Sequence, residues 1–139
     1  AILDDLRRER GVSMLFITHD LELAAAVCDR TAVMYAGSLM QEQASHSLDS
    51  DPLHPYTAAL VQARPDIDRV HERLMAIPGR PLSAFEAPAG CPFGPRCAHS
   101  EPACQDCMPG LVAVEGGRSR CRRIGELRGH LLPEGGSRG

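Results

Sequence analysis

The sequence contains no Lys, so all 15 of its basic residues are Arg. It also contains no Trp, and aromatic residues make up only 4% of it. The first shortage excludes any chemistry that needs a Lys ammonium from this chain, and the second leaves few large rings to fill a core. Long apolar runs are missing as well. The longest stretches, such as Leu23 to Cys28 and Ala32 to Ala36, fall far short of the roughly 18 residues that cross a bilayer as a helix. Any membrane role must then pass through a partner. Nor is there an excess of positive charge: the net charge is −3, the pI is near 6.1, and the arginines are scattered among acidic residues. That excludes the basic stripe of a nucleic-acid binder. The start has neither Met nor a charged-then-apolar leader, and Ala1-Ile2-Leu3 opens inside a helical pattern. The chain is therefore expected to be a fragment of a longer protein.

What is present has an α/β rhythm at first. Ile2, Leu3 and Leu6 share one helix face, with Gly11 as a stop. Ser13-Met14-Leu15-Phe16-Ile17 is a continuous apolar run, which predicts a strand buried on both faces of a parallel sheet. Asp20 is placed to cap a helix over Leu21 to Cys28. Thr31 to Tyr35 and Leu39 to Gln43 flank Gly37-Ser38 and predict a hairpin. Ala44 to Pro55 is a polar connector, and Pro55 suits the first turn of a helix carrying Tyr56, Leu60 and Val61, with Pro65 as its end. A second amphipathic stretch, Ile67 to Ile77, closes at Pro78-Gly79. Residues 80–124 are expected to be mostly loop and residues 125–139 a disordered tail. The last third is rich in Gly, Pro, Cys and Arg, buries little apolar surface by itself and needs a staple.

Two constellations carry chemistry. His19 stands just past the carboxyl end of the predicted strand, where α/β proteins place ligand-contacting groups. The cysteines form the other: Cys91, Cys97, Cys104, Cys107 and Cys121 crowd into one segment, while Cys28 stands apart on a predicted helix as a small hydrophobe. Disulfides, a structural zinc and an iron–sulfur cluster all compete for these thiols. Cys104-Gln105-Asp106-Cys107 is a Cys-x-x-Cys pair, but it has no clean second pair to complete a zinc ribbon.

The run Ile17-Thr18-His19-Asp20, followed by a helix, Cys28-Asp29-Arg30 and Ala32-Val33-Met34-Tyr35-Ala36-Gly37, resembles the switch-histidine region of ABC ATPases. Asp51-Pro52-Leu53-His54-Pro55-Tyr56-Thr57 is similar to the His-Pro-Tyr-Thr motif that opens the C-terminal extension of oligopeptide and dipeptide importer ATPases, a branch that includes nickel importers. Ile77-Pro78-Gly79 is likewise close to a turn of that extension. The resemblance implies an α/β fold, the C-terminal portion of an ABC nucleotide-binding domain of P-loop type, joined to an irregular cysteine-rich extension. The expected boundaries are 1–46 for the nucleotide-binding part, 47–124 for the extension with cysteines at 91–121, and 125–139 for the tail. It implies that His19 contacts the γ-phosphate of ATP, with Mg²⁺ bound by the parent protein, in the positioning role that phosphoryl transfer requires. The glycine-rich loop with its Lys, the signature loop and the Asp-Glu pair of that family are absent from the sequence. This chain alone is therefore not expected to hydrolyse ATP.

For the cysteines, the resemblance implies a 4Fe–4S cluster on Cys91, Cys97, Cys104 and Cys121, with Cys107 as a departure from the pattern and an alternative ligand. It disfavours disulfides, since such ATPases work in a reducing compartment, and leaves Zn²⁺ as the alternative. Arg96, Arg118, Arg120, Arg122 and Arg123 are expected to offset the thiolate charge and lower the thiol pKa values. The implied partners are a second ATP-binding subunit in a homo- or heterodimer, permease subunits and, indirectly, an extracytoplasmic binding protein. The implied place is the cytoplasmic face of the membrane. A competing class is a small metal-binding regulatory or scaffolding module. A redox protein using Cys104 and Cys107 fits less well, because Pro102 and Pro109 flank that pair in a predicted loop. Whether the solute is a dipeptide, a longer peptide or a nickel complex is not written in these residues.

Overall fold

The computed structural model describes residues 2–64 and 76–133. Helix α1 (Ile2–Arg10) carries Asp4 and Asp5 in its first turn and Arg7, Arg8 and Arg10 in its last, which complements the helix dipole. Helix α2 (Leu21–Val27) starts where expected: the Asp20 carboxylate accepts from the backbone N–H groups of Glu22 and Leu23 at 3.0 and 3.1 Å. The segment between the two helices departs from expectation. Residues 13–17 form no strand, and Leu15 and Ile17 are 91% and 87% exposed. A parallel strand needs hydrogen-bonding neighbours and covering helices. Among the described residues nothing flanks this run.

The sheet is antiparallel, not parallel. Strands β1 (Arg30–Tyr35), β2 (Ser38–Ala44), β3 (Val112–Val114) and β4 (Gly117–Ser119) lie in the order β1-β2-β4-β3. Ala36 and Gly37 turn the first hairpin with φ of +48° and +79°, the left-handed pair that matches strand twist. Gly37 is also tight, since a Cβ there would lie 2.8 Å from the Ala84 Cβ. Along β1 burial alternates, with Thr31, Val33 and Tyr35 inside. In β2 the alternation breaks at a bulge: Val33 faces Gln41 and Met34 faces Leu39, so Met40 is the extra residue. Met40 and Gln41 are consecutive and both fully buried. Glu42 ties three strands together through Arg30 and Arg118, and its carboxyl is held below the usual range, first by Arg118 and then by Arg30.

The two ends of the hairpin have different tasks. Toward the turn, Tyr35, Met40 and Phe93 form an apolar cluster joined by Tyr56, with ring centroids 4.7 Å apart for Tyr35–Tyr56 and 5.1 Å for Tyr56–Phe93. Toward the other end, opposite Val33 and Thr31, the amides of Gln41 and Gln43 bond each other and hold the chain beyond β2. Gln41 accepts from the Leu53 N–H at 2.9 Å, Gln43 donates to the Asp51 carbonyl at 3.0 Å, and the Ser119 hydroxyl donates to the Leu53 carbonyl. The polar connector is thus fixed by buried side chains, and it delivers His54 as the N-cap of α3 (Pro55–Gln62). Pro55 opens that helix as the sequence indicates.

Within residues 80–124 the expected loop does contain regular structure: two short 3₁₀ turns, Ala84–Glu86 and Gly94–Arg96, the helix α4 (Ala103–Asp106), and the hairpin of β3 and β4. Strands of three residues show no legible periodicity. They form here because β2 offers an open edge. The tail is corrected as well. Helix α5 (Ile124–Leu127) and Leu131 are buried against Ala58 of α3, and Gln62 donates to the Leu131 carbonyl at 3.0 Å. The expected stop of α3 at Pro65, most of the stretch Ile67 to Ile77, and residues 134–139 lie outside the described residues.

Phe93 is 2% exposed and touches both Tyr35 and Tyr56, so Phe93→Ala should cost about 3–5 kcal/mol of unfolding free energy, measured by urea titration. A pH effect follows from His54, whose pKa burial lowers from 6.5 to about 4, with a backbone contact from Arg120 opposing in part. The unfolded ring takes a proton below 6.5 and the folded one only near 4. Stability from this group is therefore complete above 6.5 and declines as pH falls through that window. Urea midpoints at neutrality and at the acidic end of the window should differ more for the native chain than for His54→Asn.

Candidate functional site

The N-terminal end of α3 faces a cavity that lies beside both apolar clusters. Its walls include Cys91, Cys97, Cys104 and Cys121, together with His54, Ser100, Arg120, Arg122 and Arg123. Each cysteine arrives for a local reason. At Gly90 a Cβ would lie 2.4 Å from the Cys104 carbonyl oxygen, so only glycine lets these segments meet. The Cys91 N–H then donates to that carbonyl at 2.8 Å. Cys97 follows the turn Gly94–Arg96, and its sulfur accepts the His99 N–H at 3.4 Å. Cys121 is set by Arg120, which continues β4. The Arg120 N–H bonds the Met40 carbonyl at 2.8 Å, and its guanidinium bonds the carbonyls of Leu39 and Pro109 at 2.7 and 3.0 Å.

All six cysteines are free thiols. Burial pushes the pKa values of Cys91 and Cys97 up, and that of Cys121 up to about 11, while backbone N–H groups partly oppose the rise. Of the arginines expected to lower them, Arg123 does so for Cys97, and burial outweighs it. Arg118 is committed to Glu42, Arg120 to backbone carbonyls, and Arg96 to the carbonyls of Ile77 and Pro78 and to Tyr35. Arg123 donates to the His99 carbonyl at 2.8 Å and pairs with Glu126. Arg122 lies 3.7 Å from the sulfur of Cys107, which is exposed and is not part of the cavity wall. Cys28 caps the end of α2, also away from the cavity.

The donor set can be tested against the groups it would hold. Among the described residues no three His, Cys, Asp or Glu side chains converge as a single metal ion requires. Zinc would need its four sulfurs within about 2.3 Å of one point. In a cubane cluster each thiolate takes a different iron, so the sulfurs surround a volume and do not converge. Four of the six thiols line one cavity. The cavity also has unmet hydrogen-bonding capacity. Among the described residues the buried side-chain atoms without a partner are His54 Nε2, Thr57 Oγ1, Ser100 Oγ and Arg123 Nε, and three of those four residues line it.

His19 is elsewhere. It is exposed in the turn that leads into α2, where the Asp20 N–H bonds Thr18 Oγ1 at 3.0 Å. The structure brings the four cysteines together but does not bring His19 to them. His54, Ser100 and Arg123 were not legible as cavity residues. The only signal was His54 ahead of Pro55, which marks an N-cap whose outer ring nitrogen is left over.

Residues 42–104 match the family described as Oligopeptide/dipeptide transporter, C-terminal region. The chain is 39% identical to the oligopeptide transport ATP-binding protein OppD of Salmonella typhimurium over 119 residues, covering 86% of this chain and 35% of that protein. It is 39% identical to OppD of Escherichia coli over 108 residues, 78% of this chain and 32% of that one. A putative peptide import ATP-binding protein of Brucella melitensis is 40% identical over 121 residues, 86% of this chain and 36% of the relative. The chain thus spans about a third of the length of these relatives. Through that span it is similar to the ATP-binding proteins of peptide importers.

Proposed function

We propose that this chain is the C-terminal part of the ATP-binding subunit of an ABC-type peptide importer, in which ATP and Mg²⁺ act on a nucleotide-binding domain completed by other segments. The observation that supports this most is the match of residues 42–104 to the C-terminal region of oligopeptide and dipeptide transporters. The Thr18-His19-Asp20 turn agrees with it. His19 is exposed, and Leu15 and Ile17 before it present apolar surface suited to packing against the rest of such a domain. In this reading His19 contacts the γ-phosphate, the working unit is a dimer of ATP-binding subunits, and permease subunits hold it at the cytoplasmic face of the membrane. Among the described residues no helix is long and apolar enough to cross a membrane. An external binding protein supplies the solute.

In a subunit that includes the whole domain, His19→Ala should cut ATP turnover by roughly 10²-fold or more, the scale of losing one group aimed at transition-state charge. Nucleotide binding should change little. Unchanged turnover would remove His19 from the mechanism.

The cysteine cavity holds a 4Fe–4S cluster in this reading, on Cys91, Cys97, Cys104 and Cys121. The shared cavity and its unpaired hydrogen-bonding atoms support it. When bound, such a group supplies iron–thiolate bonds that cross-link segments far apart in sequence. The buried thiols must each release a proton to bind metal, so assembly should be favoured by higher pH. Anaerobically prepared chain should be brown with about four irons. Serine at any of the four positions should abolish the colour, whereas Cys28→Ser and Cys107→Ser should keep it. A colourless protein with one zinc would overturn the cluster, and iron lost in Cys107→Ser but kept in Cys104→Ser would reassign the third ligand.

A further inference from the structure

We propose that His54 and Ser100 donate hydrogen bonds to sulfur atoms of the group held in the cysteine cavity, and that this donation sets its reduction potential; the inference rests on the cluster reading above. The ring of His54 is oriented by its own helix. Its Nδ1 accepts the Tyr56 N–H at 3.0 Å, so Nδ1 carries no proton and the neutral ring carries it on Nε2. Burial keeps that ring neutral at physiological pH. The Nε2–H is therefore a fixed donor, in a side chain only 1% exposed, with no partner. The Arg120 carbonyl is near enough to favour the protonated ring slightly but makes no hydrogen bond of acceptable geometry with it.

Ser100 repeats the pattern from the opposite side of the sequence. Its hydroxyl oxygen is buried and unpartnered, and the residue lines the same cavity. A buried donor left unpaired keeps its full desolvation cost, so two in one cavity point to an acceptor that belongs there. Thiol sulfurs are among the acceptors lining this cavity, and none of them is bonded to either group. An occupant bearing thiolate and sulfide sulfur would satisfy both. Arg123 is a weaker candidate, because its other nitrogens are held by His99 and Glu126 and its Nε lies 3.5 Å from Glu101.

Hydrogen bonds to the sulfurs stabilise the reduced, more negative state and so raise the potential of the one-electron couple. His54→Asn keeps a side-chain acceptor for the N-cap while withdrawing the distant N–H, and Ser100→Ala removes only a hydroxyl. The chain and both variants would be reconstituted anaerobically with ferrous iron and sulfide, then titrated at an electrode that supplies the electron. Iron content should be equal in all three, and each variant should shift to a lower potential than the native chain, the double variant furthest. Equal iron with unshifted potentials in both variants would overturn the inference alone. Failure of both variants to assemble a cluster would also overturn it, by making the two residues structural. Native chain that takes up no iron would overturn the cluster reading and this inference together.

Discussion

Met40 and Gln41 are consecutive in β2 and both fully buried, although successive side chains of a regular strand point to opposite faces. The bulge opposite Val33 and Met34 resolves this, because its extra residue interrupts the alternation of side chains. Met40 enters the aromatic cluster with Tyr35 and Phe93, while Gln41, opposite Val33, fixes Leu53. The Met40 carbonyl, freed from the hairpin ladder, accepts the Arg120 N–H and so pulls the last part of the chain onto β2. Two distant segments are thereby set against one strand: residues 51–54 and residues 117–121.

The cysteine cavity is the product of that arrangement. His54 and Cys121 reach it from those two segments, and Cys91 and Cys104 from a loop closed by the approach at Gly90. Its neighbours are apolar: Cys121 packs on the cluster of Ala58, Ile124, Leu127 and Leu131, and Cys91 and Cys97 on that of Tyr35, Met40 and Phe93. Burial in such surroundings favours neutral thiols. Occupation by a positively charged metal group would reverse that preference and couple assembly to proton release. The arginines of the region are spent on architecture, since Arg96, Arg118, Arg120 and Arg128 each hold a carbonyl or carboxylate far away in sequence.

The N-terminal part follows a different logic. Its helices are locally encoded by charge placement and the Asp20 cap, and the Arg7–Asp29 pair at 2.5 Å ties α1 to the end of α2. The apolar run before His19 stays exposed, so the turn that carries His19 is defined by Thr18 and Asp20 and not by a sheet. In the proposed importer ATPase this half would be the side facing nucleotide, and the cysteine-bearing half a separate element resting on the hairpin.

The sequence by itself determined whatever depends on neighbours a few residues apart. The Asp20 cap, the hairpin around Gly37, the helix opened by Pro55 and the grouping of cysteines are all local, and short-range sterics and hydrogen bonding suffice to specify them. Tertiary structure alone decided that residues 13–17 form no strand, that β3 and β4 complete the sheet, and that α5 packs where a tail was expected, because an edge strand and a buried face can be filled from anywhere in the chain. It also decided which thiols share a cavity. Cys104 and Cys107 are three apart and equivalent as a motif, yet one lines the cavity and the other is exposed beside Arg122, a distinction set by the hydrogen bond from Cys91 to the Cys104 carbonyl.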